Sequence, residues 1–201
     1  MPQAALKLIE RSACGEAAPR WSLAALLGRL VEICAANASA PLTQAMGLVA
    51  EAQAAGELAA WVTLVDSSFF PPDAAAGGVD LAALIVIRAP DLPAAARAAD
   101  KLLRSGGFGL VAIDAAGPCA LPTPLLARLS GLARTHHSAL LLLTRNPTER
   151  SPLGSLVALR LASTRRRDGD RFICTLRATK DRQAAPGWSH VERCLPPPGL
   201  Y

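Results

Sequence analysis

Four short, continuous apolar runs constrain this chain more than any other feature. They are Leu30–Ala35 (Leu-Val-Glu-Ile-Cys-Ala), 60–65 (Ala-Trp-Val-Thr-Leu-Val), 109–113 (Gly-Leu-Val-Ala-Ile) and Ala139–Thr144 (Ala-Leu-Leu-Leu-Leu-Thr). A strand with one wet face alternates apolar and polar residues, whereas a strand covered on both faces does not. The runs therefore read as buried strands, as does the apolar stretch 81–87, with a strand at 84–88. Between them lie Ala/Leu-rich segments at 43–55, 92–104 and 124–136 that read as helices. Gly56 sits where a helix C-terminus favours glycine, and Pro93 falls in a first turn, where proline is tolerated. The order β-α-β-β-α-β-α-β predicts an α/β domain: a mostly parallel sheet flanked by helices on both faces.

Three further segments have weaker patterns. Residues 4–12 read as a short amphipathic helix whose Leu6 and Ile9, with Leu23, Leu26 and Leu27, cover the core or pack on another subunit. Residues 67–78 contain Phe-Phe-Pro-Pro and Gly-Gly and read as a loop. Beyond residue 154 the pattern changes to two strands, 156–163 and 172–179. They are joined by Thr-Arg-Arg-Arg-Asp-Gly-Asp, where Asp-Gly predicts a C-terminal antiparallel hairpin with Arg165, Arg166 and Arg167 in its turn. The chain ends in Leu-Pro-Pro-Pro-Gly-Leu-Tyr, a proline-rich stretch poor in backbone donors.

Composition excludes several classes. A chain of 201 residues that is 51% hydrophobic and carries a net charge of +5 is not a disordered polymer. No apolar run approaches the ~20 residues that span a bilayer. The N-terminus lacks a basic segment followed by an apolar core, so the expected compartment is the cytoplasm, with no membrane partner. The five cysteines, Cys14, Cys34, Cys119, Cys174 and Cys194, show no CxxC spacing and are odd in number. They suggest buried thiols in a reducing compartment, with no metal site. No Ser/His/Asp or Cys/His arrangement can be placed, and His136-His137 suits a helix C-terminus.

Charge is unevenly distributed. Residues 1–133 hold nine Lys/Arg against eleven Asp/Glu, a net −2, whereas residues 134–201 hold twelve against five, a net +7. A basic final third points to an anionic partner, either nucleic acid or an acidic protein surface. Arg165, Arg166 and Arg167, with Lys180 and Arg182 beyond the returning strand, are the candidate contacts. No aromatic residues interleave with them to stack on single-stranded bases.

The strand–loop–helix layout of residues 30–55 is that of a phosphate-binding P-loop, but its chemistry is missing. Such loops use glycines to aim backbone amides at phosphate, a Lys for the terminal phosphates and a Ser/Thr for Mg²⁺. The segment from Ala35 to Thr43 reads Ala-Ala-Asn-Ala-Ser-Ala-Pro-Leu-Thr, with neither Gly nor Lys, and Pro41 removes an amide. The strand ending at Asp114 has the form of a Walker B strand, four apolar residues and an acid.

In sequence, Gly28-Arg29-Leu30-Val31-Glu32-Ile33 resembles the strand entering the P-loop of RecA recombinases. The similarity runs ungapped through the following helix to Gly56 and, more sparsely, to about residue 187. In that register Ala40 stands for the loop glycine, Pro41 for the lysine and Leu42 for the Mg²⁺-binding Thr. Thr144-Arg145 stands for an Asn-Gln pair that senses the γ-phosphate. Asp66 is the one acid near the position of the catalytic glutamate, and the segments after Asp114 and Arg145 are short for DNA-binding loops. The resemblance implies a RecA-like P-loop NTPase core over 28–187, preceded by an N-terminal helical segment (1–27) and followed by a Pro-rich tail (188–201). A short RecA-like chain stripped of its P-loop chemistry resembles the ImuA- and SulA-type proteins. That resemblance implies a non-catalytic accessory protein of SOS translesion synthesis that needs no cofactor. Its expected partners are RecA, an ImuB-like polymerase subunit and single-stranded DNA, with self-association open. The competing expectations are an ATP-binding RecA paralogue acting on DNA and a SulA-like cell-division inhibitor.

Overall fold

A computed structural model describes residues 9–11, 20–35, 38–67, 69–115, 117–146 and 151–195. The elements in chain order are β1 (Ile9–Arg11), α1 (Leu23–Leu26), β2 (Leu30–Ala35), α2 (Pro41–Ala54), β3 (Leu58–Leu64), α3 (Pro71–Ala76), β4 (Leu84–Ala89), α4 (Leu92–Ser105), β5 (Phe108–Asp114), α5 (Thr123–Thr135), β6 (Ala139–Thr144), β7 (Leu159–Asp168), β8 (Arg171–Asp181) and β9 (Ser189–Cys194). One sheet contains all nine strands in the order β1-β9-β8-β7-β2-β6-β5-β3-β4. The strands from β7 to β4 are mutually parallel, and β7-β8-β9-β1 continue antiparallel.

The continuous apolar runs feed two separate cores. Val31 and Ile33 of β2, Leu110 and Ala112 of β5, and Leu141 and Leu143 of β6 face α1 and α2, where Leu23, Leu26, Ala45, Leu48, Val49 and Ala52 pack on them. Leu30, Val111, Ile113, Leu140 and Leu142 point the other way, onto Ala95, Ala96, Ala99 and Leu103 of α4 and Leu126 and Leu129 of α5. Alternate residues of each strand thus serve opposite helix layers, so no position in these strands is free to be polar by default.

The helices begin and end for local reasons. The Asp91 carboxylate accepts the Ala94 N–H at 2.7 Å and caps α4, and Gly106 closes it in the left-handed region at φ 69°. Asp100 of α4 pairs with Arg128 of α5 at 2.5 Å and with Arg104 one turn along its own helix. The bond from Arg128, aided by Arg104, holds the Asp100 carboxyl below its usual range.

Several expectations need correction. The stretch 81–87 is not a buried strand: β4 begins at Leu84 and lies at the sheet edge, leaving Ile85 and Val86 exposed. Within the expected N-terminal helix, Ile9–Arg11 is a strand paired antiparallel with β9, and the rest of residues 1–19 lies outside the described residues. The expected loop 67–78 contains α3. Ser189–Cys194, inside the stretch read as a tail, forms β9, and residues 196–201 lie outside the described residues. The hairpin is present, but it turns at Gly169-Asp170, so Arg165, Arg166 and Arg167 belong to strand β7.

Leu129 is fully buried between α5 and the sheet. Leu129→Ala should destabilise the fold by about 2–5 kcal/mol in denaturant titrations, the range for a buried leucine that leaves a cavity.

Candidate functional site: the degenerate loop and the strand ends

The loop between β2 and α2 lies at the C-terminal ends of the parallel strands, where open α/β sheets bind ligands. Ala35 is the last residue of β2. Ala40 is the residue before α2, Pro41 opens the helix, and no side chain caps it. Leu42 packs partly against the core and Thr43 is exposed. Ala36 and Asn37 lie outside the described residues.

This loop is fastened to β7. The Ala40 N–H donates to Ser163 Oγ at 3.2 Å, and that hydroxyl donates to Gln44 Oε1 at 2.6 Å. The Arg165 N–H donates to the Ala38 carbonyl at 2.7 Å. An amide that a phosphate-binding loop would aim at its ligand is here satisfied by the protein. Without glycine, the loop also carries Cβ atoms where close approach of a phosphate needs none.

Asp114 ends β5, and β6 separates that strand from β2. Its carboxylate accepts a 2.5 Å hydrogen bond from Ser67 Oγ, and Ser67 Oγ in turn accepts the Phe69 N–H at 3.1 Å. The acid thus organises the turn after β3. Asp66, the stand-in for a catalytic acid, is exposed on that turn.

Thr144 and Arg145 separate. Arg145 is exposed, and its backbone N–H donates to the Gly117 carbonyl at 2.9 Å. Thr144 is buried and donates to Glu32 Oε1 at 3.0 Å. Glu32, in the middle of β2, is fully buried. Its second oxygen lies 3.2 Å from Arg160 Nε of β7, and Asn146 Nδ2 donates to Oε1 at 2.8 Å. Asn146 also joins both the N–H and the carbonyl of Cys119 at 2.9 Å. Burial pushes the neighbouring thiols up: Cys34 above its usual range and Cys119 to about 12, the Glu32 charge adding to each.

This network was missed by motif reading, yet it leaves a signal. One acid inside Leu-Val-Glu-Ile and one base inside Leu-Arg-Leu are charges in otherwise buried strands, and buried charges require partners.

The five candidate basic residues are not gathered into one patch. Arg165 and Arg167 share the β7 face of Leu161 and Ser163. The Arg165 guanidinium lies 4.9 Å from the Phe172 ring centroid, and Arg167 Nε donates to the Gly169 carbonyl at 3.1 Å. Arg166 points to the opposite face, with Asp168 at 3.8 Å, and the register brings Arg177 of β8 and Arg193 of β9 to that side. Lys180 and Arg182 turn to the carbonyls of Gly154 and Ser155. Burial, followed by the Arg182 and Arg160 charges, lowers the Lys180 pKa.

Removing one member of the buried pair should cost far more than removing both. Glu32→Ala is expected to lose about 3–5 kcal/mol, and Glu32→Leu combined with Arg160→Met should recover most of it. Chemical denaturation of the single and double variants measures the difference.

Comparison with known proteins bears on the same region. The family model of the RecA N-terminal domain matches residues 23–128. Protein RecA of Corynebacterium jeikeium (strain K411) is 39% identical over 87 residues, 43% of this chain and 23% of the relative. Protein RecA of Rubrobacter xylanophilus is 40% identical over 87 residues, 43% of this chain and 25% of the relative. That of Picosynechococcus sp. is 37% identical over the same length, again 25% of the relative. The match therefore spans about a quarter of the length of these relatives.

Proposed function

Because the chain belongs to the RecA N-terminal domain family, we propose that it is a RecA-like accessory protein that has given up nucleotide chemistry. In this reading it acts by protein contact in DNA-damage-induced translesion synthesis. The observation that carries the loss of chemistry is the loop from Ala35 to Thr43: it has no glycine or lysine, and its Ala40 amide is already bound to Ser163. Each missing charge-assisted phosphate contact removes about 1.5–3 kcal/mol. Asp114, held by Ser67, supports the same reading.

The partners in this reading are RecA itself and an ImuB-type polymerase subunit, in the cytoplasm. No helix among the described residues is long and apolar enough to cross a membrane. Single-stranded DNA is the secondary ligand, met through the arginines of β7. Phe172, the aromatic residue beside them, is already packed against Arg165, so contact would be to phosphates and steeply salt-dependent.

Three experiments test the proposal. Calorimetry and a phosphate-release assay should show no saturable ATP binding and no hydrolysis, while micromolar, Mg²⁺-dependent affinity would favour a nucleotide-binding RecA paralogue. Affinity capture with the tagged chain from DNA-damaged cells should retain RecA and the polymerase subunit; retention of the division GTPase instead would make it a division inhibitor. Replacing Arg165, Arg166 and Arg167 together by Ala should weaken single-stranded DNA binding and flatten its salt dependence, and unchanged binding would remove β7 from the contact.

A further inference from the structure

A second chemical centre lies on the antiparallel side of the sheet. Cys174 of β8 and Cys194 of β9 are both buried in a small cluster with Ala40, the residue preceding α2, and Phe172 packs on it. The register pairs Cys174 with Glu192 and Phe172 with Cys194, so the two cysteines are diagonal neighbours on one face of adjacent strands. The two side chains share this buried cluster. Glu192 is buried: its Oε1 lies 2.8 Å from His190 Nε2, and its Oε2 has no hydrogen-bond partner among the described residues. A buried carboxylate oxygen with no proton to accept, placed opposite a thiol, is a base waiting for one.

We propose that Cys174 and Cys194 are a redox-active dithiol that a hydroperoxide converts to a disulfide, with Glu192 as the first proton acceptor. Cys174 is the attacking sulfur. The register sets it opposite both Glu192 and Arg165, and the Cys194 thiol and the Arg165 charge lower its pKa against the opposing effects of burial and of the Glu192 charge. Glu192 takes the Cys174 proton, and the thiolate attacks one peroxide oxygen. The O–O bond breaks, the leaving alkoxide collects the proton from Glu192 and departs as an alcohol, or as water when the oxidant is hydrogen peroxide. Cys174 is left as a sulfenic acid. The Cys194 sulfur then attacks the Cys174 sulfur, the S–O bond breaks, and the hydroxide leaves as water with the Cys194 proton. Two thiols lose two electrons and the peroxide gains them.

Cys194 ends β9 and is paired with Ile9 of β1, so opening of the β1–β9 edge both admits the oxidant and lets the diagonally placed sulfurs close to bonding distance. Closing the bond ties β9 to β8 beside the start of α2. Cys34 and Cys119 have no such activation, because burial raises both thiols.

The test uses the full chain. It is exposed to hydrogen peroxide, quenched with acid, alkylated while unfolded and digested with trypsin. The expected product joins peptide 172–177 to peptide 194–201, is cleaved by dithiothreitol, and forms at least about tenfold faster than any loss of Cys34 or Cys119. In Cys194→Ser the crosslink disappears and dimedone labels Cys174. Faster oxidation of Cys34 or Cys119, a crosslink through Cys14, or intact Cys174 and Cys194 thiols after oxidant treatment would each overturn the assignment.

Discussion

The ion pair between Glu32 and Arg160 holds the rest of the sheet to one arrangement. A fully buried carboxylate is tolerated only when its charge and lone pairs are met, and here β7 supplies the guanidinium, β6 the Thr144 hydroxyl, and the segment after β6 the Asn146 amide. Asn146 passes the constraint on to Cys119, after β5. A shift of β7 by one residue against β2 would carry Arg160 to the opposite face and leave Glu32 without its counter-charge. Everything beyond β7 depends on that register: β8 pairs with β7, β9 with β8, and β1 with β9.

The degenerate loop is a consequence of the same register. With β7 fixed beside β2, Ser163 and the Arg165 amide arrive next to the loop and take hydrogen bonds with Ala40 and Ala38. In a phosphate-binding loop, glycines leave such amides pointing into solvent until an anion arrives. Here the Ala40 amide is turned inward to Ser163 and the Ala38 carbonyl to the Arg165 N–H, and the hydroxyl of Ser163 also secures Gln44. Asp114 is used similarly, to shape the turn that leads to Phe69 and the stacked pair of Phe69 and Trp61. Groups that hold a ligand in one context here hold the chain itself.

The inner parallel strands β2, β3, β5 and β6 were legible because they are covered on both faces, which leaves largely apolar runs of five or six consecutive residues. The hairpin was legible from Asp-Gly, but the position of its turn was not: three arginines in a row look like a loop until pairing with β8 extends β7 past the end of β2. Strands β1 and β9 are short and polar, and only pairing between distant segments defines them. Of the candidate site residues, those in the loop and Asp114 fell together at the strand ends. The basic group divided, because alternation along β7 sends Arg166 away from Arg165 and Arg167, a separation that spacing alone does not reveal. Glu32 and Asn146 escaped notice because no motif carries them.

The pairing of β1 with β9 joins residues 9–11 to residues 192–194, almost the full length of the chain apart. Among the described residues, this contact closes the longest stretch of chain and rests on one three-residue ladder. It is therefore expected among the last contacts to form and the first to open, a latch at the sheet margin rather than a beam within it. The antiparallel edge is in that sense the soft end of an otherwise stiff molecule. A partner that grips either end of the chain would act first on this latch, well before the parallel sheet registered the strain.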